Sequence, residues 1–250
     1  MSSDLSCAPR TRLFIDLPPD QPLSEGQVVA LPRAQAHYLT GVLRLGAGAA
    51  VAVFDGRSGE YMAHLAEAGK RSAWLRVGAR TAPLRLPPDV WLIFAPIKKA
   101  RTDFIVEKAA EMGAARIVPV QTDFTNAERV RRDRLQAHAI EAAEQCGGTF
   151  VPAVDDLRPL SRLLDDWPAG RRLMFCDEGL AGPVSDLPAA PGPWAILIGP
   201  EGGFSPAERA RLHDHPSAYP VSLGPRILRA DTAAVAALAL WQAALGDWRA

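Results

Sequence analysis

The stretch Ala195-Ile196-Leu197-Ile198-Gly199-Pro200-Glu201-Gly202-Gly203-Phe204-Ser205-Pro206-Ala207-Glu208 reads as a buried strand running through a glycine-rich turn into a helix. Ser205 followed three residues later by Glu208 forms a capping box, and Pro206 falls at the first helical position, where its missing N–H costs nothing. The glycines therefore occupy a strand-to-helix turn. In α/β sheets ligands bind at such turns, beyond the carboxyl ends of parallel strands, and paired glycines let backbone approach a ligand closely. Spacing alone is equally compatible with a tight turn that holds nothing. The motif is neither GxGxxG nor a phosphate-binding loop, because no Gly-Lys-Ser/Thr follows, so phosphate-cradling nucleotide binding is disfavoured.

A second turn of the same kind follows at Leu223-Gly224-Pro225-Arg226-Ile227-Leu228-Arg229-Ala230-Asp231-Thr232-Ala233, with Asp231 or Thr232 as the natural N-cap. The two Gly-Pro turns are separated by one helix and one short strand, so they can face each other across a ligand. The helix from Asp231 to Leu245 is apolar on nearly every side, which predicts burial in the core or against a partner subunit.

Working back towards the N-terminus, strands alternate with helices: Val90 to Ala95, helix Asp103 to Met112, strand Ile117 to Val120, helix Arg132 to Gln145, then strands Leu173 to Phe175 and Tyr219 to Leu223. That rhythm predicts a parallel α/β sheet. Before it, Thr81 to Pro88 is proline-rich and aperiodic and reads as a linker. Earlier still, short β-type segments at Leu13–Ile15, Val28–Leu31, Val51–Phe54, Tyr61–Leu65 and Ala73–Val77 suggest a small barrel interrupted by one helix, Arg33 to Leu43. The expected division is 1–82 and 89–250.

The 250 residues are 48% hydrophobic and 22% charged, with no net charge. Zero charge argues against a strongly basic nucleic-acid binder. Lysine occurs only at 70, 98, 99 and 108; the arginine bias is accounted for first by GC-rich coding DNA and second by phosphate recognition. No apolar run reaches membrane-spanning length and Met1 to Arg12 lacks a secretory pattern, so a cytoplasmic protein is expected. Three widely spaced cysteines without a CxxC pair suggest neither disulfides nor zinc, and His213-Asp214-His215 lacks a third ligand nearby, so no metal is expected.

Several motifs in one order carry a resemblance: HYLTGVLRL at 37–45, VFDGRSGEY at 53–61, IKKARTDFIVEKAAEMGAARIVPV at 97–120, EAAEQCGG at 141–148, GPEGGFSPAE at 199–208 and LGPRILRADTA at 223–233. Across nearly its whole length the chain resembles the ribosomal RNA small-subunit methyltransferase E family, uridine-N3 methyltransferases of the SPOUT superfamily. The resemblance implies an α/β domain with a SPOUT-type parallel sheet and C-terminal trefoil knot, preceded by a small PUA-like β-barrel that binds RNA. It implies S-adenosylmethionine as cofactor, a homodimer packed through the SPOUT domain, and as substrate uridine 1498 of 16S rRNA, free or in the small ribosomal subunit. Three positions depart from the family pattern: Gly148 stands where arginine is common, Asp231 where glutamate is frequent, and Lys99 where glycine is frequent.

Carried over residue by residue, the resemblance places cofactor binding on Leu197, Gly199, Pro200, Glu201, Gly202, Gly203, Leu223, Gly224, Ile227 and Leu228. Uridine N3 carries a proton, so a site must supply a base or stabilise the anion left behind. Arg229 is the candidate for holding a uracil carbonyl; Glu201 is a candidate base or sulfonium neighbour, or else the anchor of Arg226 or Arg229. RNA contacts are expected at Arg10, Arg12, His37, Arg44, Arg57, Lys98, Arg101 and Arg226. The competing readings are a sibling enzyme acting on ribose 2′-oxygen or a guanine nitrogen, and a non-catalytic RNA-binding assembly factor.

Overall fold

The computed structural model describes residues 11–69, 72–126, 130–180, 182–184, 187–188, 190 and 192–249. The chain divides into two units: one runs up to Leu86 and takes in Glu144–Phe150, and the other comprises Pro87–Ala143 and Val151 onwards.

In the first unit, β1 (Arg12–Phe14), β2 (Val28–Ala30), β3 (Ala50–Phe54), β4 (Glu60–Ala68) and β5 (Ala73–Ala82) form a five-stranded sheet in the order β1-β3-β4-β5-β2. Register shifts along the β4/β5 ladder bend these two long strands, and the sheet curls around Leu13, Val29, Leu39, Val51, Val53, Leu65 and Leu75. Among the described residues no ladder joins β1 to β2, so the expected barrel is a curled sheet rather than a closed one. β5 continues to Ala82, pairing with Glu60, so the strand takes in Thr81 and Ala82 and the proline-rich stretch starts at Pro83.

The helix expected over Arg33 to Leu43 is instead a short α1 (Arg33–His37) that widens into a π-turn at Tyr38–Val42. Thr40 Oγ1 bonds back to the Ala36 carbonyl at 2.8 Å, and the His37 ring lies so close to Gly41 that a Cβ there would sit 2.7 Å from it. Both features favour the wider turn.

Glu144–Phe150 belongs with this unit because Arg12 fastens it. The Arg12 guanidinium donates to Glu60 (2.8 Å), to the Glu144 carbonyl (2.9 Å) and to the Gly148 carbonyl (2.8 Å), while the Phe14 amide donates to the Glu144 carboxylate at 2.8 Å.

The second unit is a parallel sheet in the order β12-β10-β11-β6-β7-β8. Its strands are β6 (Val90–Phe94), β7 (Arg116–Gln121), β8 (Ala153–Val154), β10 (Arg172–Cys176), β11 (Trp194–Ile198) and β12 (Ala218–Val221), with β9 (Arg158–Pro159) pairing β7 off the main path. Helices α2 (Lys99–Glu111), α3 (Arg132–Cys146) and α6 (Ala230–Leu245) cover one face; α4 (Leu160–Asp165) and α5 (Pro206–His213) cover the other.

Alternation along the strands sorts side chains between the two layers. Leu92, Phe94, Ile196 and Ile198 meet Ile105, Ala109, Ala234 and Leu238; Ile93, Ala195 and Leu197 meet Leu160, Leu163, Phe204 and Leu212. Gln242 of α6 is fully buried and donates to the Met112 carbonyl at 2.7 Å, pinning α6 to the end of α2. No helix among the described residues is long and apolar enough to cross a membrane.

Candidate active site

Three turns leave the carboxyl ends of adjacent strands β10, β11 and β12 and enclose a cavity of about 260 Å³. Its floor is Cys176, Ile198 and Val221, the last residues of the three strands; its side is Ala230 and Ala233 of α6. Both glycine-and-proline turns line this one cavity.

In the turn after β11, the Gly203 amide donates to the Pro200 carbonyl at 3.0 Å. Gly203 has φ +73°, which favours glycine, and a Cβ there would lie 2.1 Å from Glu178 Oε1, so another residue would also have to push the Glu178 carboxylate aside. Gly199 lies against the Phe204 ring, which a Cβ would meet at 2.7 Å, and Phe204 in turn packs edge-on to Phe175. Pro200 and Glu201 line the cavity with them. Gly202 faces outwards, towards Phe124. Leu197 does not line the cavity: one residue before Ile198, it points to the α4/α5 layer and is fully buried there.

In the turn after β12, Ser222 Oγ accepts from the Gly224 amide at 3.2 Å, and Gly224 adopts φ +117°. Leu223, Gly224, Arg226, Ile227, Leu228 and Arg229 line the cavity, Ile227 being 79% exposed. The N-cap of α6 is Arg229 rather than Asp231 or Thr232; its carbonyl accepts from Ala233 at 2.7 Å, and no side chain caps the helix. Asp231 sits in the first turn, where a carboxylate suits the positive end of the helix dipole.

The turn after β10 supplies residues the sequence reading passed over. Asp177 is almost fully buried and accepts from Gly179 N (2.9 Å) and Arg209 Nε (2.9 Å), with His213 Nε2 at 2.8 Å. Burial pushes its carboxyl up, but the bonds from Gly179, His213 and Arg209 outweigh burial and hold it below the usual carboxylate range. The Asp177 anchor sets Glu178 on the cavity wall beside Gly203. An acidic pair directly after a buried strand of an α/β sheet was the available signal. Burial also drives the Cys176 thiol far above its ordinary range, so this cysteine is protonated at neutral pH and the cavity offers no thiolate nucleophile.

A family model for an RNA methyltransferase domain matches residues 84–242, and one for an RNA methyltransferase PUA domain matches residues 31–78. The chain belongs to the ribosomal RNA small subunit methyltransferase E family. The protein of that name from Synechocystis is 33% identical over 221 residues, 84% of this chain and 71% of that protein; the one from Bacillus subtilis is 28% identical over 244 residues, 91% and 94% of the two chains. The crystal structure of the Neisseria gonorrhoeae enzyme bound to S-adenosyl methionine superposes with a TM-score of 0.85 at 29% identity, covering 95% of this chain and 99% of that one.

The chain pairs a SPOUT-type parallel sheet with a PUA-like unit built on a curled sheet. Within the SPOUT unit, Arg101 of α2 reaches the cavity rim. Its Nη1 donates to Glu201 at 2.5 Å and its Nε lies 3.7 Å from Asp231. Glu201 is therefore held by Arg101, not by Arg226 or Arg229. Among the described residues neither Arg226 nor Arg229 has an ion-pair partner, so two free guanidiniums stand at the cavity.

The remaining RNA candidates fall into separate places. Lys98 is exposed ahead of α2, where it is the N-cap residue. His37 and Arg44 are exposed around the π-turn, with Arg44 at φ +56°. Arg57 donates to the Leu17 and Pro18 carbonyls at 2.9 and 3.3 Å. The Arg12 guanidinium is spent inside its own unit on Glu60, Glu144 and Gly148, which makes it a fastener rather than an RNA contact. Arg10 lies outside the described residues. His213 is engaged by Asp177, and His215 packs edge-on to Trp167. No group of three or more His, Cys, Asp or Glu among the described residues is placed to hold a metal ion.

Proposed function

We propose that this member of the family transfers a methyl group from S-adenosylmethionine to N3 of a uridine in 16S rRNA, the family target being uridine 1498, in the cytoplasm. The observation that carries the reading is the convergence of three strand-end turns on one cavity with two unpaired arginines at its edge. The lining suits the cofactor: Ile198, Val221, Leu228 and Ala233 offer apolar walls for a purine, the backbone of Gly199, Pro200, Leu223 and Gly224 offers donors and acceptors, and the Glu178 carboxylate suits hydroxyls or a cationic group. S-adenosylmethionine, when bound, supplies an electrophilic methyl on a sulfonium.

The chain's own residues then have to orient a uridine and favour its N3 anion. Arg229 holds a uracil carbonyl oxygen, stabilising the charge that spreads over the ring as the N3 proton leaves to solvent. Arg226 binds a phosphate beside it, with Lys98, His37, Arg44 and Arg57 adding contacts that position the RNA. Glu201 acts as a positioning residue through Arg101, because a carboxylate committed to a guanidinium makes a poor proton acceptor. A trefoil knot, formed where the turn after β12 passes the turn after β11, and a homodimer through the half-exposed side of α6 complete the reading; Val235, Ala236, Ala239 and Leu240 on that side are only partly buried.

The test is calorimetry with S-adenosylmethionine followed by methyl transfer to small subunits from a strain lacking the modification, with nucleosides read by mass spectrometry. Saturable cofactor binding and new 3-methyluridine are expected. A methyl found on a ribose 2′-oxygen or a guanine would overturn the uridine assignment, and an inert cleft would leave an RNA-binding assembly factor.

A further inference from the structure

Strand β7 ends at Gln121, and the turn that follows is unusually well fastened. Thr125 N donates to the Thr122 carbonyl at 3.1 Å, Thr122 N donates to Thr125 Oγ1 at 2.9 Å, and the two hydroxyls are 2.8 Å apart. Asp123 then ties the turn to the capping box of α5: its amide donates to Glu208 Oε1 at 2.9 Å and its carboxylate accepts from Ser205 Oγ at 2.5 Å. At the tip of this braced turn Phe124 is 45% exposed. One side of it rests on the cofactor turn, where a Cβ at Gly202 would stand 3.4 Å from Phe124 Cβ.

A single exposed ring is ordinary on a protein surface, but a ring fixed by a braced turn is preorganised for a planar partner, and its neighbourhood indicates which. β6 pairs with β7 in the parallel sheet, so Lys98 and Lys99, just beyond β6, reach the same carboxyl edge as Phe124. Both lysines are exposed, and among the described residues neither has an ion-pair partner. Cations for phosphates beside a π-face for a base is the arrangement by which proteins hold unpaired nucleotides.

We infer that Phe124 is a stacking platform for a nucleobase of the RNA substrate, which holds the strand open next to the nucleotide being methylated. The inference rests on the rRNA reading above. It assigns Phe124 to RNA positioning and not to the cofactor, since the ring lies on the outer side of the Gly199–Gly203 turn.

The experiment uses the full chain with Phe124→Ala, Phe124→Leu and Phe124→Trp. Expected is a KM for small ribosomal subunits raised about tenfold in the Ala and Leu variants, with kcat, cofactor affinity and sedimentation unchanged, and a KM near wild type for Trp. Leu keeps the apolar bulk but not the π-face, so a Leu variant as good as wild type overturns the inference. So does a change confined to cofactor affinity, or a shift of the monomer–dimer balance, which would mean that a second copy covers the ring. Wild-type protein in the same assay separates the two claims: absence of methyl transfer there removes the rRNA reading and this inference with it, whereas normal wild-type transfer with an indifferent Leu variant removes the stacking platform alone.

Discussion

Arg101 Nη1 donates to Glu201 Oε1 at 2.5 Å, joining the first turn of α2 to the glycine turn after β11. Both side chains are partly solvated, so the pair contributes little to global stability, on the order of 0.2–1 kcal/mol. Its effect is local. Arg101→Ala is expected to leave the thermal midpoint nearly unchanged and to weaken S-adenosylmethionine binding several-fold, because the turn carrying Gly199 to Gly203 loses its tether. Calorimetry checks this, and a variant with intact cofactor affinity but impaired RNA binding would return Arg101 to the RNA surface.

Gly203 and Gly224 both have positive φ, yet they should respond differently to alanine. At Gly224 an added methyl meets open space, so the cost is backbone strain alone. At Gly203 the left-handed conformation costs about 1–2 kcal/mol and the methyl also displaces the Glu178 carboxylate from its place on the cavity wall. Gly203→Ala is expected to lower cofactor affinity at least tenfold and Gly224→Ala by less. Adding Glu178→Ala to Gly203→Ala removes the contact but not the strain, and it takes a carboxylate from the cavity wall, so no recovery of binding is the expected result of the double variant.

Asp177 should give the SPOUT unit an acid-side dependence. Its folded-state carboxyl titrates below the ordinary value, so its contribution is fully present above the unfolded-state pKa of about 3.9 and is lost as pH falls through the lower folded value. Stability of wild type measured by urea unfolding should therefore fall more steeply below about pH 4 than that of Asp177→Asn. At pH 7 the Asn variant should be less stable by about 1–3 kcal/mol, since Arg209 loses its charged partner. Equal slopes in acid would show that the bonds to Arg209 and His213 do not set this carboxyl.

Arg12→Ala tests the fastener in the first unit. It leaves Glu60 without its closest cation and two carbonyls without their guanidinium donors, so a loss of about 2–3 kcal/mol is expected in chemical denaturation. Arg12→Lys should recover little of it, because an ammonium lacks the planar fork that reaches three acceptors. Full recovery by lysine would point to simple charge instead.

Much of the SPOUT unit was legible in the chain because buried parallel strands and capped helices leave strong local signals. Ala195 to Ile198 and the Ser205/Glu208 box specify their strand and helix without help from elsewhere. The cavity was legible only as far as glycine and proline mark turns. Leu197 shares the motif with the cavity residues but not the cavity, because the two-residue period of a strand turns it away from Ile198. Asp177 and Glu178 escaped because an acidic pair has no spacing signature, and Arg209 and His213, which hold Asp177, come 32 and 36 residues later. Arg12 is the extreme case: its partners lie 132 and 136 residues away, and no local pattern distinguishes a fastening arginine from a solvated one.

The strand order also bears on when this cleft can exist. Val90 of β6 pairs with Trp194 of β11, roughly a hundred residues later, and the wall contributed by Ala233 comes later still. A nascent chain therefore has no place for a methyl donor until residues as late as Ala233 have left the ribosome. Contacts so distant in sequence make folding slow compared with a helical bundle of equal size, so the cleft arises only with the assembled sheet and never as a local unit.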